Sequence, residues 1–95
     1  MATYNVQRSK HATLGAGTVD TVNFAMAGRT LRVKNRAAAV GDIYFTVDGQ
    51  TDPVSLADDT YFAAFGENVV LDDPGRIVQI RLISADATPY SVELY

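Results

Sequence analysis

Apolar and polar residues alternate along most of this chain with a period of two. In the segment TLRVKNR (30–36), Leu31 and Val33 fall on one face, and Arg32, Lys34 and Arg36 fall on the other. No segment keeps the i, i+3, i+4, i+7 spacing of an amphipathic helix over three turns. The pattern therefore predicts strands throughout, with helix minor or absent.

Glycine, aspartate and proline residues divide this pattern into short strands. The segments 18–24 and 30–36 are predicted as separate strands joined by a glycine turn in AMAGR (25–29). The sequence DDPG (72–75) is predicted as a turn, because proline presets φ and glycine takes the left-handed position. Residues 36–42 are expected to form a loop. The other predicted strands lie in TYFAAF, NVVLDD, RIVQIRLIS and PYSVELY.

The segment GDIYFTVDGQTDP (41–53) combines an alternating aromatic strand with an acidic turn. Ile43, Phe45 and Val47 share one face, so Tyr44 is expected to point outward or toward a partner sheet. Asp48-Gly49 suits the positive φ angles of a hairpin turn. The acidic turn is therefore predicted to end the strand.

Strand spacing and chain length together predict the fold class. Seven or eight short antiparallel strands favour an all-β fold, a single β-sandwich of the jelly-roll or immunoglobulin-like Greek-key type, over a parallel sheet, which needs crossover helices. With 95 residues there is room for one hydrophobic core. We expect residues 18–95 to form this domain and residues 1–17 to be an N-terminal arm or an edge strand.

Composition indicates a domain that gains stability from partners. The chain has no cysteine, which excludes disulfides and thiolate metal sites. A chain of this length buries only roughly 60 to 65% of its unfolded surface, so self-association or docking on a larger body is expected. No stretch approaches the ~20 apolar residues of a membrane span, and the N-terminus lacks the apolar run of a signal peptide. We therefore expect a soluble protein without a membrane partner.

Charge is unevenly distributed between the two halves. Residues 1–47 carry a net charge of +4 and residues 48–95 a net charge of −7, which gives −3 for the whole chain. If the fold keeps the halves on different faces, each copy is electrostatically polar and its contacts with neighbours are steered. If the halves interleave, the charges pair across strands and little polarity remains.

Residue types that carry chemistry are sparse. His11 is the only histidine, and no sequence pattern places it with a nucleophile, so no catalytic residues are predicted. Pro53 and Asp59 disagree with the glycine and glutamate that a calcium loop starting at Asp48 requires. The glycines form no phosphate-binding or dinucleotide motif, and no cofactor is predicted. A looser calcium site from Asp58, Asp59, Asp72 and Asp73 stays open as an alternative.

The candidate binding residues are basic and aromatic. The stripe on 30–36 is the best candidate for contacting an acidic protein; it is a poor nucleic-acid site because the chain is acidic and no aromatic residues interleave with it. The aromatics Tyr44, Tyr61, Phe62, Phe65, Tyr90 and Tyr95 fill a core, anchor an interface or form a carbohydrate platform. The predicted partner-binding residues are Arg8, Lys10, Arg29, Arg32, Lys34, Arg36 and Tyr44.

Three segments carry a resemblance to a known class of proteins. IYFTVDGQTDP, DDTYFA and VQIRLISADATPYSVEL resemble small β-sandwich virion proteins of tailed bacteriophages, particularly those of actinobacterial hosts. The likeness spans residues 18–95 and lies in strand and turn texture, without a catalytic signature.

The resemblance implies a structural, non-enzymatic virion protein made in the host cytoplasm. Capsid decoration (cement) proteins of this kind dock on the outer capsid surface, bind the major capsid protein, self-associate as trimers or clusters, and stabilise the shell. The alternatives are a head–tail or tail accessory protein and a carbohydrate-binding adhesin module. In the decoration role, the N-terminal arm would pair with a neighbour's sheet edge or lie on the shell.

Overall fold

The structure is a computed structural model that describes residues 2–54 and 60–95, with the backbone alone at 73–76. All regular structure in this part of the chain is β, as the alternation predicted, and it contains no helix long and apolar enough to cross a membrane. The strands are β1 (Ala2–Val6), β2 (Ser9–Leu14), β3 (Asp20–Asn35), β4 (Ile43–Thr46), β5 (Tyr61–Ala63), β6 (Asn68–Ile83) and β7 (Thr88–Leu94).

The seven strands form one continuous curled sheet. Its order is β2-β7-β3-β6-β4-β5, and β1 lies beside β3. β3 and β6 are 16 residues long, and each belongs to both halves of the curl. In one half, the end of β3 pairs with β7, which pairs with β2. In the other half, the start of β3 pairs with β1, and the end of β6 pairs with β4. The two halves face each other. The all-β class is confirmed, whereas the described residues form one curled sheet and do not show the closed β-sandwich that was predicted.

The predicted glycine turn at AMAGR is wrong, because β3 runs through it without reversing. The pairs Asn23–Gln79 and Thr30–Asp72 lie seven residues apart along both strands, so the register is the same on either side. Between them Gly28 pairs with Ile77 out of register. A Cβ on Gly28 would lie 2.5 Å from the Tyr95 carbonyl oxygen. Glycine is needed there for close approach of the chain after β7.

The predicted turn at DDPG is also wrong. β6 continues from Asn68 to Ile83 through this sequence. Residues 73–76 are the extra residues between the pairs Thr30–Asp72 and Gly28–Ile77. A proline cannot donate a ladder hydrogen bond, and strands accommodate proline at such bulges. The two bulges, one on each strand, bend the hairpin that links both halves of the sheet.

One strand pair departs from the predicted antiparallel arrangement. β1 pairs parallel with β3, from Ala2–Asp20 to Val6–Phe24. The crossover that a parallel pair requires is made here by β2, which pairs antiparallel with β7 in the other half of the sheet. Residues 2–14, expected as an arm or an edge strand, thus pair within this chain's own sheet.

The interior is one cluster drawn from both halves of the curl. The apolar faces predicted from alternation are buried at Leu31, Val33, Ile43 and Phe45, and Val47 is half-buried. On β7, Tyr90, Val92 and Leu94 are buried as well. Leu14, Val22, Phe24, Ile77, Ile80 and Leu82 complete the large side chains of this core. The outward faces of both halves are therefore the surfaces available for function.

Candidate docking surfaces

The predicted basic stripe lies on the outer face of β3, between β7 and β6. Arg32 Nη1 is 3.9 Å from the Glu93 Oε1 of its cross-strand neighbour. Lys34 Nζ donates a hydrogen bond of 3.0 Å to the Gly66 carbonyl oxygen. Because β6 and β7 come from the acidic half of the chain, the two halves interleave at this face. In the stripe, Arg32 is therefore paired with a carboxylate, whereas Lys34 bonds a neutral carbonyl group.

Arg36, the last residue of the stripe, is bound to the backbone. Its Nη2 donates to the Tyr90 carbonyl oxygen at 3.1 Å and to the Ala12 carbonyl oxygen at 3.3 Å. The guanidinium therefore spans β7 and β2, and its fork of donors suits two carbonyl acceptors. Its contacts join two strands of the same sheet.

The remaining predicted cations lie in two other places. The Arg8 Nη1 donates to the Leu94 carbonyl oxygen at 3.5 Å, and the Arg29 backbone N–H donates to the Tyr95 carbonyl oxygen at 2.9 Å. Lys10 Nζ lies 4.2 Å from the centroid of the Tyr4 ring, a cation–π contact. We call Arg8, Arg29 and Arg32 the basic end, because they surround the C-terminal end of β7. The structure brings these three together and leaves Lys10 apart.

Tyr44 lines a groove of about 550 Å³ at the opposite end of β7. The walls include Val54 and Ile83, and the carboxyl-bearing residues Asp42 and Asp86 also line it. We call this feature the acidic groove.

Two glycines shape the walls of the acidic groove. Gly17 has φ 68° and donates its N–H to the Ser84 carbonyl oxygen at 2.7 Å. Gly41 has φ 110°, and a Cβ there would collide with Thr88. Both positions favour glycine, so these two walls carry no side chain.

Aromatic side chains are exposed on the edge strand β5 and just beyond it. Tyr61, Phe62 and Phe65 are 40%, 42% and 50% exposed. The Phe62 ring lies 5.2 Å from Tyr44, and the Tyr61 ring stacks at 5.5 Å on the buried Phe45. We call Tyr61, Phe62 and Phe65 the aromatic edge. Aromatic side chains exposed at the edge of a sheet are candidates for a protein interface.

The acidic turn, residues 48–52, closes over the outer face and holds Arg81. The Arg81 guanidinium donates to Asp52 Oδ1 at 2.9 Å and to the carbonyl oxygens of Gln50 at 3.0 Å and Gly49 at 3.3 Å. The Asp48 carboxylate accepts the N–H groups of Gln50 and Thr51, both at 2.9 Å, and these bonds lower the pKa of Asp48 to about 2. The turn is a clamp on β6.

A row of side-chain amides extends from this clamp across the sheet. Arg81 Nε donates to Gln79 Oε1 at 3.1 Å, and Gln79 Nε2 donates to Asn23 Oδ1 at 2.6 Å. Asn23 Nδ2 then donates to Asn5 Oδ1 at 3.2 Å. The row links β6, β3 and β1 and helps to fix the parallel register of β1.

Asn35 is a fully buried polar residue that positions both the groove and the aromatic edge. Its Nδ2 donates to the carbonyl oxygens of Gly41 at 2.7 Å and Ala63 at 3.0 Å, and its Oδ1 accepts the Ala37 N–H at 3.0 Å. Alternation predicts Asn35 on the inward face with Leu31 and Val33, so a buried asparagine was the available signal in the sequence. Its hydrogen bonds fix the loop after β3 against β5.

Asp20 is a second buried polar residue, and it accepts a hydrogen bond of 3.1 Å from the Tyr90 hydroxyl. Burial raises the pKa of Asp20, although the bonds from Tyr90 and from the Ala2 backbone oppose this. Burial, followed by the charge of Asp20, raises the pKa of Tyr90. This pair anchors the start of β3 to β7 inside the core.

His11 lies beside a hydroxyl, although no sequence motif indicated this. Its Nδ1 is 2.7 Å from Ser91 Oγ, its cross-strand neighbour on β7. Within the described residues no carboxylate hydrogen-bonds the other ring nitrogen, and the pair is exposed on the outer face of the sheet. An orienting acid and a water-excluding cleft are what such a pair needs for nucleophilic catalysis.

The calcium alternatives involve residues that the structure describes only in part. Asp48 and Asp52 are engaged by their own turn and by Arg81. Asp58, Asp59 and the Asp73 side chain lie outside the described residues. Among those that are described, no three His, Asp or Glu side chains cluster in a way that suits a metal ion.

Comparisons with protein families, with curated proteins and with solved structures found no match for this chain.

Proposed function

We propose that this protein is a structural virion component of a tailed bacteriophage, and that it acts as a capsid decoration protein. In this role it is made in the host cytoplasm, docks on the outer capsid surface, binds the major capsid protein and stabilises the shell without catalysis. The resemblance of residues 18–95 to small phage β proteins supports the virion assignment. The surface features of the fold support a docking role.

The aromatic edge is the observation that carries the docking role. Three aromatic side chains on or just after the last strand of the sheet are 40–50% exposed, with Tyr61 on the face of Phe45 and Phe62 on the face of Tyr44, and their contact with water is unfavourable. Aromatic residues are enriched among the anchors of protein interfaces. The cations on the outer face of β3, in contrast, already have partners within the chain: Arg32 is paired with Glu93, and Lys34 is bonded to the Gly66 carbonyl oxygen. We therefore propose that the capsid contact lies at the aromatic edge and not at the basic stripe on 30–36 that the sequence indicated.

Add-back to stripped particles tests this proposal. Capsids freed of the protein are incubated with the wild-type chain, with a Phe62→Ser/Phe65→Ser variant, or with Val70→Ser, which replaces an exposed apolar residue outside the aromatic edge. Loss of two anchor side chains is expected to cost about 2 kcal/mol or more, roughly thirtyfold in affinity. Val70→Ser is expected to bind like the wild type.

The consequence for the shell is measured on the same particles. Restored heads should resist heat and chelator better than stripped heads, and labelled protein should localise to the head surface. A wild-type chain that does not bind shells, or that localises to the tail or the head–tail junction, contradicts the decoration role. The second of these results supports an accessory role in the head–tail or tail region.

A second candidate function is a carbohydrate-binding adhesin module. The observation that favours it is the Tyr44–Phe62 pair beside the acidic groove, because sugar sites combine aromatic faces with carboxylates. A glycan array distinguishes the two roles. Selective binding that Tyr44→Ala abolishes supports the adhesin, whereas a decoration protein gives no signal on the array.

A further inference from the structure

We propose that copies of this protein associate head to tail, with the basic end of one copy docked in the acidic groove of the next. This inference rests on the self-association that belongs to the proposed function, and it names the two surfaces that come into contact. The contact involves only copies of this chain, so it is open to test without a capsid.

The acidic groove favours a cationic group with an apolar flank. Tyr44, Val54 and Ile83 give it apolar walls, while Asp42 and Asp86 supply carboxylates. None of the described residues that line the groove is basic. A positive side chain entering it is attracted by both carboxylates, and its aliphatic stem covers apolar wall.

The basic end presents this combination. Arg29 is exposed, and Met26 beside it on the same bend is 52% exposed. Arg8 Nη2 lies 3.8 Å from the Met26 sulfur, so a guanidinium and a thioether are held together. Two described carboxylates also lie near this end: Glu93 pairs with Arg32, and Asp72 accepts a hydrogen bond from the neutral Thr30 hydroxyl. Arg8 and Arg29 are therefore the cations that this end offers to a neighbouring copy.

The two surfaces lie at opposite ends of β7. Asp86 precedes the first residue of β7 by two positions, and Arg8 contacts the backbone of its last residue, Leu94. Seven residues of strand span roughly 20 Å, so the basic end of a copy does not reach its own groove. Complementary surfaces at opposite ends give a heterologous contact, which closes into a ring when the rotation permits. A small ring matches the trimers or clusters expected of the proposed function.

A charge-swap experiment tests this contact. Sedimentation velocity over a concentration series at low salt is expected to show self-association of the wild type that weakens at 0.5 M salt. Arg29→Glu and Asp86→Lys, each alone, are expected to weaken it at least tenfold through like-charge repulsion. An equimolar mixture of the two variants should associate again, because each supplies the complement that the other lacks. Recovery in the mixture also shows that both variants are folded.

A matched pair of variants tests the groove itself. Ala85 lines the groove and Ala87 does not, and both are exposed in the same loop. Ala85→Trp should abolish self-association, whereas Ala87→Trp should leave it unchanged. A wild type that is monomeric throughout the series, a mixture that does not recover, or equal effects of the two tryptophans would overturn the inference.

Capsid add-back, run in parallel, separates this inference from the proposed function. Shell binding by a chain that stays monomeric refutes head-to-tail contact and leaves decoration intact. If Ala85→Trp reduces shell binding while the wild type is monomeric, the groove takes a basic segment of the capsid, and the inference is again overturned.

Discussion

Replacing Asn35 by alanine is expected to destabilise the fold and to loosen both proposed docking features. The asparagine holds Gly41, in the groove wall, and Ala63, beside the aromatic edge, through one side-chain amide. In the Asn35→Ala variant, the carbonyl oxygens of Gly41 and Ala63 and the N–H of Ala37 lose their partner. All three bonds are in the buried part of the structure.

The magnitude follows from the cost of buried polar groups. Each group left without a partner costs about 1–3 kcal/mol, and relaxation makes the costs less than additive. We expect a total loss of roughly 3–5 kcal/mol. A domain of 95 residues has a free energy of unfolding of roughly 5–14 kcal/mol, so the variant folds with a much reduced margin.

Urea unfolding followed by circular dichroism measures this loss. With an m-value of about 1.5 kcal/mol/M, the midpoint should fall by about 2 M or more. Asn68→Ala, at an exposed position on β6, is the control and should change the midpoint little. Hydrogen exchange should increase at the Ala37 N–H in the Asn35 variant alone, because this is the amide proton that loses its acceptor. A loss below about 1 kcal/mol, or unchanged exchange at Ala37, would refute the reasoning.

Three further predictions concern the clamp and two carboxyl groups. Arg81→Met should lower the free energy of unfolding by about 1–2 kcal/mol, because the acidic turn loses its hydrogen-bond donor. Arg29→Met, at an exposed position, should leave the free energy of unfolding unchanged. Equal urea midpoints for the two variants would contradict the role of Arg81 in holding the turn. Because the pKa of Asp20 is raised, wild-type stability should fall as pH rises above 3.8 through the folded-state pKa. Asp20→Asn keeps an acceptor for Tyr90 and should not show this fall in thermal unfolding. Identical pH profiles for the two proteins would contradict the prediction. Because the pKa of Asp48 is lowered to about 2, its contribution to stability is present above pH 3.8 and is lost as pH falls toward 2. Asp48→Ala should therefore lose less stability than the wild type over that interval. A parallel decline of both proteins would show that the turn does not depend on the Asp48 charge.

Alternation predicted the β class and the buried faces because side-chain direction in a strand is local. Leu31 and Val33, and Ile43 and Phe45, lie inside as their spacing indicated. The same local rules failed where the long hairpin bends. Gly28 was interpreted as a turn residue, yet its position is set by the close approach of the chain after β7, a contact between residues far apart in sequence.

The predicted site residues show the same division between local and distant information. Arg32, Lys34 and Arg36 share a face, as period two requires, but their partners come from other strands and engage them internally. The acidic groove and the basic end arise from loops and strand ends that only the sheet order brings together. Asn35 and Asp20 were missed because a buried polar residue is identified by its partners, which strand alternation does not reveal.

The number of copies of this protein in each purified particle tests the proposed docking role most directly. Quantitative mass spectrometry of gradient-purified virions, referenced to the major capsid protein, gives this number. A decoration protein is present in a fixed ratio to the capsid subunits, on the order of hundreds of copies in a typical shell. Complete absence from the virion, or only a few copies, would contradict the proposal.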